Sequence, residues 1–219
     1  MEKLVINGPT RLKGDVNISG AKNAAVALIP AVLLCDEPCI LENVPDISDV
    51  SISLHILYEM GASVEYLDPT TVRIHANGLK NFCVPYESAR RMRASYYFLG
   101  ALLGRFGKAR VSMPGGCPLG DRPIDQHLKA FSALGARCSI EHGMVDLYAE
   151  ELTGSQIYLD VVSVGATMNA MLAAVRAKGL TVIENAAKEP EIIDVVNLLT
   201  KMGAKIRGAG TDTITIEGV

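Results

Sequence analysis

The sequence predicts an α/β fold of three repeated units, with buried helices inside and sheets outside. Three observations carry this. A Gly-Ala junction recurs at Met60-Gly61-Ala62, Leu134-Gly135-Ala136 and Met202-Gly203-Ala204, its glycines 74 and 68 residues apart (135 − 61 and 203 − 135). Each junction closes an amphipathic helix and opens a short strand. Upstream of each lies a second helix that is apolar nearly all round.

The amphipathic helices come first. Val50, Leu54, Leu57 and Met60 share one face, as do Ile124, Leu128, Phe131 and Leu134, and then Ile192, Val195, Val196, Leu199 and Met202. This is the period of a helix with one buried stripe. Glycine follows because a helix C-terminus favours a left-handed residue. The strands beyond alternate, as in Ala62–Tyr66 and Thr213–Glu217. The apolar helices are expected over 22–34, 90–103 and 165–177, buried on every side, each followed by a strand: 39–44, 109–113 and 180–185. One unit therefore reads buried helix, strand, amphipathic helix, strand, strand. The units run over about 19–84, 88–160 and 163–219 of a single domain, 19–219.

Packed about a rough threefold axis, the buried helices bring their N-termini to one end. Such ends offer unpaired N–H groups and partial positive charge, which together bind anions. The helices open with Ser19-Gly20-Ala21-Lys22-Asn23, with Ser88 to Arg93, and with Ser163-Val164-Gly165-Ala166-Thr167. A cation is disfavoured at a helix N-terminus, so Lys22 and Arg93 point to an anionic guest. Arg90 and Arg91 read as surface charges. Ser163 also reads as an N-cap, and Asp125 as a first-turn carboxylate.

The stretch Met113-Pro114-Gly115-Gly116-Cys117-Pro118-Leu119-Gly120-Asp121-Arg122-Pro123 sets a thiol in a glycine- and proline-rich loop. Arg122 stands five residues on, and a helix begins just after. Positive charge and a helix start lower a thiol's pKa and make it a better acid or nucleophile. A buried, inert cysteine is the alternative.

Composition narrows the classes. With 219 residues, 49% of them apolar, the chain builds a sizeable core. A net charge of −3 argues against nucleic-acid binding. The five cysteines (Cys35, Cys39, Cys83, Cys117, Cys138) include no Cys-x-x-Cys pair, and the four histidines have no ligand spacing. No disulfide framework, metal or cofactor is expected. The N-terminus lacks the apolar region of a signal peptide, and the run Ala24–Cys35 is too short to span a bilayer. The expectation is a soluble cytoplasmic protein with no membrane partner.

These residues resemble the N-terminal half of the UDP-N-acetylglucosamine 1-carboxyvinyltransferases, of the enolpyruvyl transferase family. The likeness runs along essentially the whole chain. It rests on Gly8-Pro9-Thr10, Ser19 to Ala25, Met92-Arg93-Ala94-Ser95, Pro114 to Cys117, Gly120 to Pro123, Val162 to Thr167, Glu184 to Ile192 and Gly210 to Val219. The resemblance implies an inside-out α/β barrel. It also implies transfer of the enolpyruvyl group from phosphoenolpyruvate to the 3-hydroxyl of UDP-N-acetylglucosamine, with release of phosphate, the first committed step of peptidoglycan precursor synthesis. Lys22 and Asn23 match phosphoenolpyruvate contacts, and Arg93 and Arg122 match anion contacts. Arg122, Pro123, Ile124, Asp125 and Gln126, with Ser163 and Val164, match the sugar-nucleotide side. Cys117 matches the proton donor, the site of a covalent phosphoenolpyruvate adduct and the target of fosfomycin.

Two departures stand out. Family members are roughly twice as long, so a second domain carrying the base and further arginines is missing, and this half alone is expected to be inactive. Residues 1–18 would belong with that domain. Val161 stands where some relatives have a lysine near the nucleotide phosphates. The alternatives are the related shikimate 3-phosphate transferase, whose first motif is typically Gly-Ser-Lys-Ser, and a non-catalytic module that binds a sugar nucleotide or a partner.

Overall fold

A computed structural model of this protein describes residues 3–113 and 123–219. The first unit comprises α1 (Lys22–Ala31, continued by a 3₁₀ turn over Val32–Leu34), β1 (Cys39–Leu41), α2 (Ser48–Glu59), β2 (Ser63–Asp68) and β3 (Thr71–His75). A single turn, α3 (Tyr86–Ala89), and a 3₁₀ turn, Arg93–Tyr96, lead to the second. It comprises α4 (Tyr97–Phe106), β4 (Lys108–Ser112), α5 (Asp125–Ala133), β5 (Arg137–Glu141) and β6 (Met144–Tyr148). The third adds an entry strand, β7 (Gln156–Tyr158), before α6 (Val164–Ala174), β8 (Leu180–Glu184), α7 (Pro190–Lys201), β9 (Lys205–Arg207) and β10 (Thr213–Glu217).

The three sheets share one topology. Their orders are β1-β3-β2, β4-β6-β5 and β7-β8-β10-β9, so the last strand of each unit always lies between the other two. All these pairs are antiparallel except β7 with β8. The junction glycines have φ of +104°, +93° and +102°, the left-handed conformation that the helix ends require.

The apolar helices form the centre. Every residue of α6 from Gly165 to Ala174 is buried, as is α4 from Tyr97 to Leu103. Helix α4 packs on both α1 and α6, while α2 covers α1 and α5 covers α6. Helix α7 returns to pack on α1, which closes the ring. At Gly100 the backbones of α4 and α6 nearly touch: a Cβ there would lie 2.5 Å from the Asn169 carbonyl oxygen. Asn169, wholly buried, is satisfied in place. Its Oδ1 accepts from the Gly100 amide at 2.8 Å, and its Nδ2 donates to the Gly165 carbonyl at 3.2 Å. A buried amide without such partners would be costly.

The second buried helix departs from the expected span of 90–103. It begins only at Tyr97, because Met92 is extended (φ −135°, ψ 139°) and its side chain is buried. The Ser53 hydroxyl of α2 donates to the Met92 sulfur at 3.5 Å. Tertiary anchoring of one side chain thus overrides a continuous helical pattern. Residues 3–18 form no regular element and are exposed, including Leu4, Ile6 and Leu12.

Candidate active site

Five helix starts and one turn lie at one end of the barrel, in two groups of side-chain contacts joined by Tyr97, whose phenol feels both Glu191 and Arg93. Lys22 Nζ, at the start of α1, lies 2.8 Å from Asp49 Oδ2 in the first turn of α2. Asn23 Nδ2 donates to Glu191 Oε1, in the first turn of α7, at 3.1 Å. Arg93 sits half-buried in the 3₁₀ turn before α4, its guanidinium 5.8 Å from the centroid of the Tyr96 ring. The Tyr96 ring meets Tyr97 edge-on at 4.6 Å and His127, on α5, at 5.0 Å. A Cβ at Gly165, in the first turn of α6, would lie 2.7 Å from His127 Nε2 and 2.9 Å from the Tyr96 hydroxyl. Glycine there lets the helix start approach both rings.

The sugar-nucleotide candidates occupy the flank. Ile124 is buried, and Pro123 and Asp125 are exposed. Gln126 is buried and ties α5 to the loop before α6. Its Nε2 donates to Asp125 Oδ2 at 2.9 Å and to Asp160 Oδ2 at 3.1 Å, and its Oε1 accepts from the Asp160 amide at 2.9 Å. Lys129 Nζ completes this cluster at 2.7 Å from Asp160 Oδ1. Hydrogen bonding to Lys129 and Gln126 holds the Asp160 carboxyl below its ordinary pKa, and the Gln126 amide does the same for Asp125. Ser163 caps α6, accepting from the Ala166 amide at 3.3 Å. Thr167 Oγ1 donates to the Ser163 carbonyl at 2.8 Å and accepts from the Ala187 amide at 3.0 Å. Helix α1 differs: Ala21 supplies no side-chain cap, so its first amides stay available.

Lys22, Asn23, Arg93, Ser163 and Val164 thus share one mouth, with Pro123, Ile124, Asp125 and Gln126 beside it. Cys117 and Arg122 lie outside the described residues. Sequence reasoning missed His127. It is buried, and among the described residues neither ring nitrogen has a hydrogen-bond partner. Burial first, and then Arg93, push its pKa down to about 4, so the imidazole is neutral at pH 7. Burial likewise raises the Tyr97 phenol well above its usual range, helped by Tyr96. The signal for His127 was present: it falls next to Phe131 on the stripe of α5, where a histidine must be buried. Ligand spacing was the wrong test for it. Among the described residues no group of three or more His, Cys, Asp or Glu is placed to hold a metal, and no helix is long and apolar enough to cross a membrane.

An uncapped helix start, a lysine, an arginine and a neutral buried imidazole at one mouth suit a polyanionic ligand. The chain is 56% identical over 219 residues to UDP-N-acetylglucosamine 1-carboxyvinyltransferase 3 of Caldanaerobacter subterraneus subsp. tengcongensis, covering all of this chain and 52% of that relative. It is 58% identical over 218 residues to UDP-N-acetylglucosamine 1-carboxyvinyltransferase 2 of Listeria monocytogenes, covering 51% of it. The chain therefore spans about half the length of the curated relatives it matches. Among solved structures it resembles the enolpyruvyl transferase NikO from Streptomyces tendae, with a TM-score of 0.83 at 30% identity over 97% of this chain and 50% of that one. It shares a fold with EPSP synthase from Acinetobacter baumannii, with a TM-score of 0.72 at 21% identity over 94% of this chain and 47% of that one. The model of the EPSP synthase (3-phosphoshikimate 1-carboxyvinyltransferase) family matches residues 6–219, and the chain belongs to that family.

Proposed function

We propose that this chain is the cysteine-bearing half of an enzyme that transfers the enolpyruvyl group of phosphoenolpyruvate to the 3-hydroxyl of UDP-N-acetylglucosamine. One observation supports this most: Lys22, Asn23, Arg93 and the Ser163–Val164 helix start meet at one mouth, in a chain 56–58% identical to relatives carrying that name. Lys22 and Asn23, beside the uncapped start of α1, take the phosphoenolpyruvate anions, with Arg93 and Arg122. Arg122, Pro123, Ile124, Asp125, Gln126, Ser163 and Val164 face the sugar nucleotide.

In this reading the Cys117 thiol delivers a proton to the methylene carbon while the sugar hydroxyl adds to C2. The tetrahedral adduct carries phosphate and carboxylate on one carbon, and clustered cations stabilise it. Loss of a proton from the methyl carbon and of phosphate from C2 then restores the double bond. The base and further cations come from a second half, so residues 1–219 alone do not turn over. A cytoplasmic location follows from the substrates, and the product feeds peptidoglycan synthesis. The family model's name favours a second acceptor, shikimate 3-phosphate. Phosphate release by the full-length parent, run with each acceptor and repeated with Cys117→Ser, decides between them. Release with UDP-N-acetylglucosamine alone, lost in the variant, is expected. Release only with shikimate 3-phosphate would overturn the acceptor, and release unaffected by the variant would overturn the role of Cys117.

A further inference from the structure

Two cysteines stand side by side at the end of α1 that is remote from the mouth. Cys35 follows the 3₁₀ turn that continues α1, and Cys39 opens β1. Both thiols are free and partly exposed. The Cys39 thiol donates to the Glu37 carbonyl at 3.7 Å and is hydrogen-bonded to the Cys35 sulfur as well. The other described cysteines have different company. Cys138 Sγ lies 3.5 Å from the Ser132 hydroxyl, and Cys83 Sγ donates to the Val84 carbonyl at 3.8 Å.

The fold fixes both ends of this pair. Arg105 of α4 has a side chain only 16% exposed. Its Nη1 donates to the Leu33 carbonyl and, at 3.3 Å, to the Cys35 carbonyl, while its Nη2 donates to Asp36 Oδ1 at 2.9 Å. His75, the last residue of β3, donates from Nε2 to the Asp36 carbonyl at 3.1 Å. Cys39 is paired with Ile74 of β3 in the sheet. Between the anchors Pro38 fixes one more backbone angle. Reacting groups held in contact in this way need little further ordering to join. The His75 nitrogen is already engaged, and no third ligand completes a metal site among the described residues.

We propose that Cys35 and Cys39 close a reversible disulfide on meeting a hydroperoxide, a redox switch that ties the end of α1 to the start of β1. Burial first, and then the neighbouring Cys35, keep the Cys39 sulfur protonated, so Cys35 reacts first. Its sulfur takes the terminal oxygen of the hydroperoxide. The O–O bond breaks, an alcohol leaves (water, from hydrogen peroxide itself), and Cys35 becomes a sulfenic acid. The Cys39 sulfur then attacks the Cys35 sulfur. The S–S bond forms, and the departing hydroxide leaves as water with the Cys39 proton. Two thiols give up two electrons, and the hydroperoxide takes both. The exposed carboxylates of Asp36 and Glu37 flank the pair and disfavour an anionic oxidant, so a neutral hydroperoxide suits the site.

The probe is hydrogen peroxide, added to the chain carrying Cys117→Ser, which removes a competing thiol. Remaining thiols are then alkylated and the peptides mapped by mass. The peptide holding Cys35 and Cys39 should lose two hydrogens and take no label, leaving Cys83 and Cys138 labelled. Dithiothreitol should restore both thiols. With Cys39→Ser added, Cys35 has no partner and should stop as a sulfenic acid, which a 1,3-diketone traps. The bridged chain should melt at a higher Tm than the same sample after dithiothreitol, because the closed loop restricts the unfolded chain. Full labelling of both cysteines after peroxide would overturn the proposal, and so would a bridge from either one to Cys83 or Cys138. Failure to trap a sulfenic acid at Cys35 in the Cys39→Ser chain would refute the order of the steps. A Tm that rises on reduction would show a strained bond, contrary to a pair that the fold holds ready. None of these readouts depends on phosphate release, so this inference and the proposed activity fail separately.

Discussion

A neutral imidazole buried beside an arginine makes stability depend on pH. His127 has a folded-state pKa of about 4 against an ordinary 6.5, chiefly from burial and then from Arg93, with Asp125 partly opposing. The folded chain therefore binds fewer protons than the unfolded one wherever pH lies between these values. Stability from this group is fully present above pH 6.5 and is lost as pH falls toward 4. The full loss for a shift of that size is about 3 kcal/mol, at roughly 1.4 kcal/mol per unit. Between pH 7 and pH 5 the same linkage gives a loss of about 2 kcal/mol. His127→Gln removes the titration and keeps a polar side chain of similar reach. Urea unfolding of both chains at half-unit steps from pH 7.5 to 4.5 isolates the term, because other groups cancel in the difference. The variant should start less stable at pH 7, from lost packing, and the gap should close by about 2 kcal/mol by pH 5. Parallel curves would refute the burial of an uncharged His127.

Other positions give sharp outcomes. Gly100→Ala should lower stability by at least about 2 kcal/mol, seen as a drop in Tm, because the new methyl meets Asn169 Oδ1 at 2.8 Å as well as its carbonyl. Thr167→Val keeps the shape but strands the Ala187 amide, and should cost about 1–3 kcal/mol in urea unfolding. Thiol labelling should separate the cysteines. Burial and the neighbouring Cys35 push Cys39 up to about 12, and burial raises Cys138, so both should label slowly at pH 7.5. On the proposed function, Cys117 should react fastest with fosfomycin once UDP-N-acetylglucosamine is present, and peptide mapping that finds equal labelling at Cys35 or Cys138 would sink its special role.

Most of the architecture was legible because the repeat is written in elements whose chemistry is local. The Gly-Ala junctions mark helix ends, and the two kinds of helix differ in how much of their surface is apolar. What was not legible is tertiary in origin. Nothing local in Arg90–Leu103 reveals that Met92 is drawn into the core and breaks the helix. Entry strand β7 is three residues long, too short for a periodic signal. The site divides the same way. Lys22, Asn23 and Arg93 stand out as cations and amides at helix starts, a misfit that sequence exposes. Their acidic partners Asp49 and Glu191 do not, since a carboxylate in a first turn is ordinary.

Those partners bear on how the mouth works. The central helix starts are not equivalent. The start of α6 is capped by Ser163, and near the start of α4 the Gly100 amide is held by Asn169. Helix α1 begins without a side-chain cap, and it carries Lys22 and Asn23. A fully solvated lysine would spend several rotamers' worth of entropy on meeting a ligand. Here Asp49 already holds the ammonium and Glu191 the amide. The mouth thus keeps its donors placed by carboxylates that belong to neighbouring helices, α2 and α7. An anion arriving at α1 would compete with those carboxylates for the same donors, so its binding must also act on the helices that carry them.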